Sequence, residues 1–165
     1  ADALDGQLAW APTLRGAAGE YGIGVVVRGE ISTIEVVPLS GTREPRVALI
    51  VEATIEGRRW TIGCTHLSRR RSFAQGQLVT VLDAMAAHPA PRVLLGDLNL
   101  VPGEVLPWST PEGYHLVDGP PTHSTRRAQV TRRIDHVLVA GTAAESAAVV
   151  RFDVSDHCAV RADLR

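Results

Sequence analysis

Lysine is missing from this 165-residue chain. All 17 basic residues are arginine, set against 18 acidic residues for a formal net charge of −1. That balance excludes the strongly basic signature of a general nucleic-acid binder, although it leaves room for a local basic site. Cysteine is almost absent: Cys64 and Cys158 lie far apart with no CxxC pairing, so no disulfide framework is expected and the redox compartment stays open. No apolar run approaches the roughly 20 residues of a membrane-spanning helix. Nor does the chain open with the basic, apolar and small-residue regions of a signal peptide, so it reads as soluble, cytoplasmic or secreted. It also opens without Met, and the residues up to Trp10 read as the interior of a longer sequence. Aromatics are scarce, at 4%. Trp10, Trp60 and Trp108 are too scattered for a base-stacking platform and are assigned to packing. What remains is a 17.7 kDa chain, 45% hydrophobic with mean hydropathy +0.05. It is long enough to close one core, and is expected to form a single domain over residues 1–165 and a monomer.

The apolar pattern is mostly of period two. Tyr21–Arg28 and Ile31–Val37 read as strands joined in a hairpin by Gly29-Glu30. Val47–Ile55 and Arg59–His66 read as a second hairpin turning at Glu56-Gly57. The spacing of Leu78, Val79, Leu82 and Met85 predicts a helix over Phe73–His88, stopped by Pro89. Arg92–Leu95 is a short buried strand, and Leu100–Gln129, rich in Pro, Gly, Thr and Ser, is irregular. Ile134–Val139, Ala147–Phe152 and Cys158–Leu164 read as three closing strands. Many strands with few helices imply packed sheets with a helix on an outer face.

Four predicted strands end in residues with catalytic chemistry: Thr65-His66-Leu67, Gly96-Asp97-Leu98-Asn99, Ile134-Asp135-His136 and Ser155-Asp156-His157. Polar residues collect at strand ends in any fold. Four such ends in one domain, however, can converge. Asp97 and Asn99, two residues apart, point to one side of an extended backbone. The carboxylate can orient or deprotonate a water, or hold a divalent cation, while the amide can bond a phosphate oxygen without repelling it. In the Asp156-His157 pair the carboxylate suits a hard cation and the imidazole faces substrate. Asp135 can accept the proton of the other ring nitrogen and hold that imidazole in place.

The series THL (Thr65–Leu67), LLGDLN (Leu94–Asn99), RIDHVLV (Arg133–Val139) and SDHCAV (Ser155–Val160) resembles the endonuclease/exonuclease/phosphatase superfamily, which includes deoxyribonuclease I, abasic-site endonucleases, neutral sphingomyelinases and inositol polyphosphate phosphatases. The order and spacing match over about residues 20 to 165, and Glu44-Pro45-Arg46 resembles the bacterial branch. The resemblance implies an α/β (α+β) fold: two packed, mostly antiparallel sheets flanked by helices, the four-layer sandwich of the deoxyribonuclease I type. It also implies Mg²⁺- or Mn²⁺-assisted hydrolysis of a phosphoester, with nucleic acid, a phospholipid head group or an inositol phosphate as the partner. Carried over by motif, Asp97 positions the attacking water and Asn99 and His66 hold phosphate oxygens. His157 acts with Asp135, and Asp156, together with Asp97, places the metal. A cation, a histidinium and amide donors are what an anionic ester requires, because they offset the charge that develops on it.

The family opens with a strand carrying an Asn and a second strand ending in a metal-ligating Gln-Glu. Neither is found before Trp10, and Glu20 is not taken as a substitute. The expectation is therefore a match to the family's C-terminal two-thirds, with unpaired sheet edges where strands are missing and feeble hydrolysis at millimolar metal. The alternative is a remnant acting as a binding or structural module.

Arg69-Arg70-Arg71 follows His66, and Arg126, Arg127, Arg132 and Arg133 precede Asp135. Such runs are commonly a solvated face, yet Arg69, Arg71 and Arg133 are placed to bind further phosphates. His88, His115 and His123 are read as incidental, with a rim role open to His123, and His136 as a packing residue. A zinc site from Cys64, His66, His157 and Cys158 is set aside: the pairs are too tightly spaced for chelating loops, and the carboxylates would have no role.

Overall fold

The computed structural model describes residues 5–17, 19–41, 44–126 and 129–165. The elements run β1 (Gln7–Gly16), β2 (Gly19–Val27), β3 (Glu30–Leu39), β4 (Arg46–Ile55), β5 (Arg58–His66), α1 (Arg71–Ala86), β6 (Arg92–Asp97), α2 (Pro102–Ser109), β7 (His115–Leu116), β8 (His123–Arg126), β9 (Gln129–Arg132), β10 (Asp135–Ala140), β11 (Ala144–Val150) and β12 (Ala159–Leu164). Six strands form one sheet in the order β3-β4-β5-β6-β10-β7, while β1–β2, β11–β12 and β8–β9 pair separately.

The central strands are apolar on both sides because both faces are covered. Ala48, Ile50, Leu94 and Leu138 pack with Leu78, Leu82 and Met85 of α1 and Val105 of α2. On the other face Leu49, Val51 and Ala53 pack with Ala9, Ala11, Val25 and Val27 of the β1–β2 hairpin. Further along that face, Val93, Val137 and Val139 meet Val160, Ala162 and Leu164 of β12. Helices, sheet and hairpins thus make three layers. The outer helical layer of the expected four has no counterpart among the described residues, and Leu8, Trp10 and Val26 lie exposed on the outward face of β1–β2.

The second hairpin forms as expected, with Glu56 and Gly57 both at positive φ in the turn. The first does not: β2 pairs with β1 and β3 with β4. A two-residue link between alternating strands suits a hairpin or a step from one sheet to the other, and here burial of Val25 and Val27 against β4 decides for the step. β1 and α2 were not expected from the pattern. Helix α2 forms where Pro and Gly suggest irregularity. Pro102 occupies its first turn, where no N–H is needed, and Glu104 Oε2 accepts the N–H of Val101 at 2.9 Å. Among the described residues β2 and β12 each have one ladder partner, so each keeps an open edge there. β12 also walls a groove of about 830 Å³ floored by Trp60, Ile62, Leu95 and Val137. Among the described residues no helix is long and apolar enough to cross a membrane.

Candidate active site

Strands β5, β6 and β10 lie side by side, and their register sets His66 against Asp97 and Asp97 against Asp135. The parallel strands β5 and β6 end at this row, and the antiparallel β10 begins there. Since Leu95 and Val137 share the hairpin-facing side of the sheet, Asp97, two residues after Leu95, and Asp135, two residues before Val137, project to that side as well. Gly96 makes the close approach possible. Its φ is +141°, and a Cβ there would meet Thr65 O at 1.9 Å.

His66 Nε2 lies 3.3 Å from Asp97 Oδ2. His157, on the segment leading into β12, places Nδ1 2.9 Å from Asp135 Oδ2 and Nε2 3.9 Å from Asp97 Oδ2. Thr122 Oγ1 donates to Asp135 Oδ2 at 2.6 Å and accepts the N–H groups of Ile134 and Asp135. Burial holds the Asp97 carboxyl above its ordinary pKa, against the N–H of Asn99 that lowers it, and the negative charge on Asp135 pushes it further up. Burial, and then the Arg46 guanidinium, lower the pKa of His66, which favours a neutral imidazole. Arg46 is itself buried and donates Nη1–H to His66 O at 3.4 Å.

Asn99 reaches the site by a route other than extended spacing. Asp97 closes β6, and Asn99 sits at φ +52°, its N–H donating to Asp97 Oδ1 at 2.9 Å. Its Nδ2 donates to Leu67 O at 3.0 Å, leaving the second amide N–H for another acceptor. Asp156, with its side chain 72% exposed, contacts His123 Nε2 at 3.5 Å. Among the described residues no cluster of three ligand atoms holds both Asp97 and Asp156; Asp97, Asp135 and His157 form one, and His123, Asp156 and His157 another.

The arginines divide. Arg69 lines a cavity of about 760 Å³ with Arg46, Ser68 and Arg70. Arg71 pairs with Glu104 at 2.8 Å, and Arg133 is tied to Asp118 and to Val117 O. Arg127 lies outside the described residues. His136 is buried on the helix side with Nε2 against Leu100 O, in keeping with packing. Burial pushes the Cys64 thiol up to about 11, so the thiolate a metal would need is disfavoured.

The sequence profile of the Endonuclease/Exonuclease/phosphatase family matches residues 2–157, which carries the resemblance upstream of residue 20 to include β1. The chain belongs to this family. No curated protein matches it in sequence. Among solved structures, D. rerio TDP2 complexed with a single-strand DNA product superposes with a TM-score of 0.79 at 19% identity, over 99% of this chain and 78% of that one. An endonuclease/exonuclease/phosphatase family protein from Leptotrichia buccalis gives 0.77 at 15% identity, over 96% and 70%. A mannosyl-6-phosphatase from Bacteroides thetaiotaomicron gives 0.76 at 15%, over 96% and 77%. These likenesses establish the deoxyribonuclease I-like fold, and membership of the Endonuclease/Exonuclease/phosphatase family makes the chain a phosphoesterase by class.

Sequence reasoning passed over Thr122 and gave His123 only an open rim role. Both sit in the Pro-rich stretch read as irregular, where no periodicity marks them. Only the ladder that joins this stretch to residues 156–158 brings them to His157.

Proposed function

We propose that this phosphoesterase hydrolyses a phosphodiester or phosphomonoester by attack of water, assisted by Mg²⁺ or Mn²⁺. One observation carries the reading: the row His66–Asp97–Asp135, with His157 bonded to Asp135 and 3.9 Å from Asp97. The residues fit a hard divalent ion. Asp97, Asp135 and His157 each offer a ligand atom within 4.8 Å of the others, and the two carboxylates repel each other in a half-buried corner. Asp97 would hold the ion, with Asp156 reaching in from the exposed rim. Such an ion, when bound, polarises a phosphoryl oxygen and offsets developing negative charge.

The chain's own groups supply the rest. Asp97 accepts a hydrogen bond from the attacking water and takes its proton as the water attacks. Asp135 accepts a hydrogen bond from Nδ1–H of His157, which aims Nε2 at the scissile phosphate. His66, kept neutral, donates one N–H to a phosphate oxygen, and Asn99 offers its remaining amide N–H to another. Neither group adds negative charge to the site. Arg69 is placed to take a further phosphate of the substrate, a nucleic acid, phospholipid head group or inositol phosphate.

The test is hydrolysis of bis-p-nitrophenyl phosphate, plasmid DNA and sphingomyelin with Mn²⁺ and with EDTA. Turnover that needs Mn²⁺ and falls at least about 100-fold in Asp97→Asn is expected. Metal-independent turnover, or full activity in that variant, would overturn the reading.

A further inference from the structure

A second group of ligating side chains, His123, Asp156 and His157, stands beside the row, and of these His123 has no part in the scheme above. His123 and His157 oppose each other in an antiparallel bridge. Ser124 N–H donates to Asp156 O at 3.1 Å and Cys158 N–H to Thr122 O at 2.7 Å. These bonds flank the pair rather than join it, the arrangement in which opposed side chains come closest. The two rings accordingly stand 4.4 Å apart between centroids, tilted at 57°. Asp156 Oδ2 lies 3.5 Å from His123 Nε2, and one ligand atom from each of the three residues lies within 4.8 Å of the others.

The donor set differs from the Asp97 cluster in kind. Two imidazoles and one carboxylate suit Zn²⁺ and its neighbours in the transition series, whereas Mg²⁺ favours oxygen alone. With Zn–N and Zn–O bonds of about 2.0–2.1 Å, neighbouring ligands of a tetrahedral ion lie about 3.3 Å apart. The His123–Asp156 separation of 3.5 Å is already close to that edge. Asp156, mostly in solvent, can turn to close the remainder. The rings are held for the task. His157 donates Nδ1–H to Asp135, leaving its Nε2 lone pair free, the carboxylate–imidazole arrangement common behind metal ligands. Nδ1 of His123 is buried with no partner, so Nε2 is the nitrogen this ring presents.

We propose that His123, Asp156 and His157 form a site for a Zn²⁺-class ion, distinct in donors from the Asp97 cluster but sharing His157 with it. An ion held there takes the same imidazole that faces the phosphate.

The experiment reads binding alone, so it stands whatever the outcome of the hydrolysis assay. The metal-free 165-residue chain is titrated with Co²⁺, the visible absorption of low-coordinate Co²⁺ is followed, and Zn²⁺ is then added in competition. Strong absorption at one Co²⁺ per chain, displaced by Zn²⁺, is expected. His123→Phe and Asp156→Asn should each weaken Zn²⁺ at least about tenfold, and each by more than Asp97→Asn does. If His123→Phe fails to fold, Asp156→Asn carries the test, because that side chain bears little packing. Unchanged binding in Asp156→Asn overturns the proposal, as does equal loss in Asp97→Asn or loss in Cys158→Ser alone.

Discussion

Asp97 and Asp135 face each other across the β6–β10 ladder, and each has its own histidine: His66 at 3.3 Å from Asp97, and His157 at 2.9 Å from Asp135. Two carboxylates set opposite on neighbouring strands repel. The pairing persists because each is compensated separately, Asp97 by the N–H of Asn99 and Asp135 by Thr122 and His157. Burial and the residual repulsion together hold the Asp97 carboxyl above its ordinary pKa.

Removing His157 should cost catalysis without costing the fold, since its side chain is about a third exposed. His157→Ala should lower kcat on bis-p-nitrophenyl phosphate by about 10²–10⁴-fold. Asp135→Asn should lower it by about 10–100-fold, because it disturbs the orientation of the ring rather than deleting it. Steady-state kinetics with circular dichroism on the same samples checks both; near wild-type turnover in His157→Ala would remove it from the mechanism.

Thr122 links stability to the site. Its hydroxyl is buried and makes three hydrogen bonds, one of them to a carboxylate. Thr122→Val should lose about 1.5–3 kcal/mol in urea unfolding, the range for a bond to a charged group. Thr122→Ser should restore most of that loss. Equal stability of the Val and Ser variants would show that the methyl, not the hydroxyl, matters here.

Gly96 tolerates no side chain. A Cβ would overlap the Thr65 carbonyl, and the backbone conformation is itself unfavourable for other residues. Gly96→Ala should therefore destabilise by more than about 3 kcal/mol and spread β5 from β6. A folded Gly96→Ala variant with an unchanged urea midpoint would contradict this geometry.

His88 gives the fold a pH dependence away from the site. Nδ1 lies 2.8 Å from Glu52 Oε1 and Nε2 2.8 Å from Glu35 Oε2. The bond to Glu52 is the main cause of a raised pKa; burial opposes it, and Glu35 adds to the rise. Because the folded value exceeds the unfolded one of about 6.5, this stabilisation is complete below about pH 6.5 and is lost as pH rises through the folded value. His88→Gln should cost about 1.5 kcal/mol at about pH 5.5 and clearly less at about pH 9, with half-exposed Glu35 holding the figure at the low end. Urea midpoints at the two pH values decide; a difference that widens at alkaline pH refutes the role.

The sequence alone determined a good deal. Residues recurring every second position marked β2 to β5 and β10 to β12, a short apolar run between Pro91 and Gly96 marked β6, the spacing of Leu78, Leu82 and Met85 marked α1, and four strand-end motifs marked His66, Asp97, Asn99, Asp135, Asp156 and His157. These were legible because local period and residue chemistry are written along the chain. What the tertiary structure decided was which strand lies beside which. Gly29-Glu30 carries the chain between sheets rather than around a hairpin, β1 pairs with β2, and a Pro-rich stretch folds as α2 and β8. Partner choice depends on which buried surfaces meet, a contest between distant segments that no local pattern records. The same holds within the site. Asp97 meets Asp135 by sheet register, His123 meets His157 by a single bridge, and Asp156 turns toward His123 rather than Asp97, because the backbone bonds of Thr122, Ser124 and Cys158 fix where that segment runs.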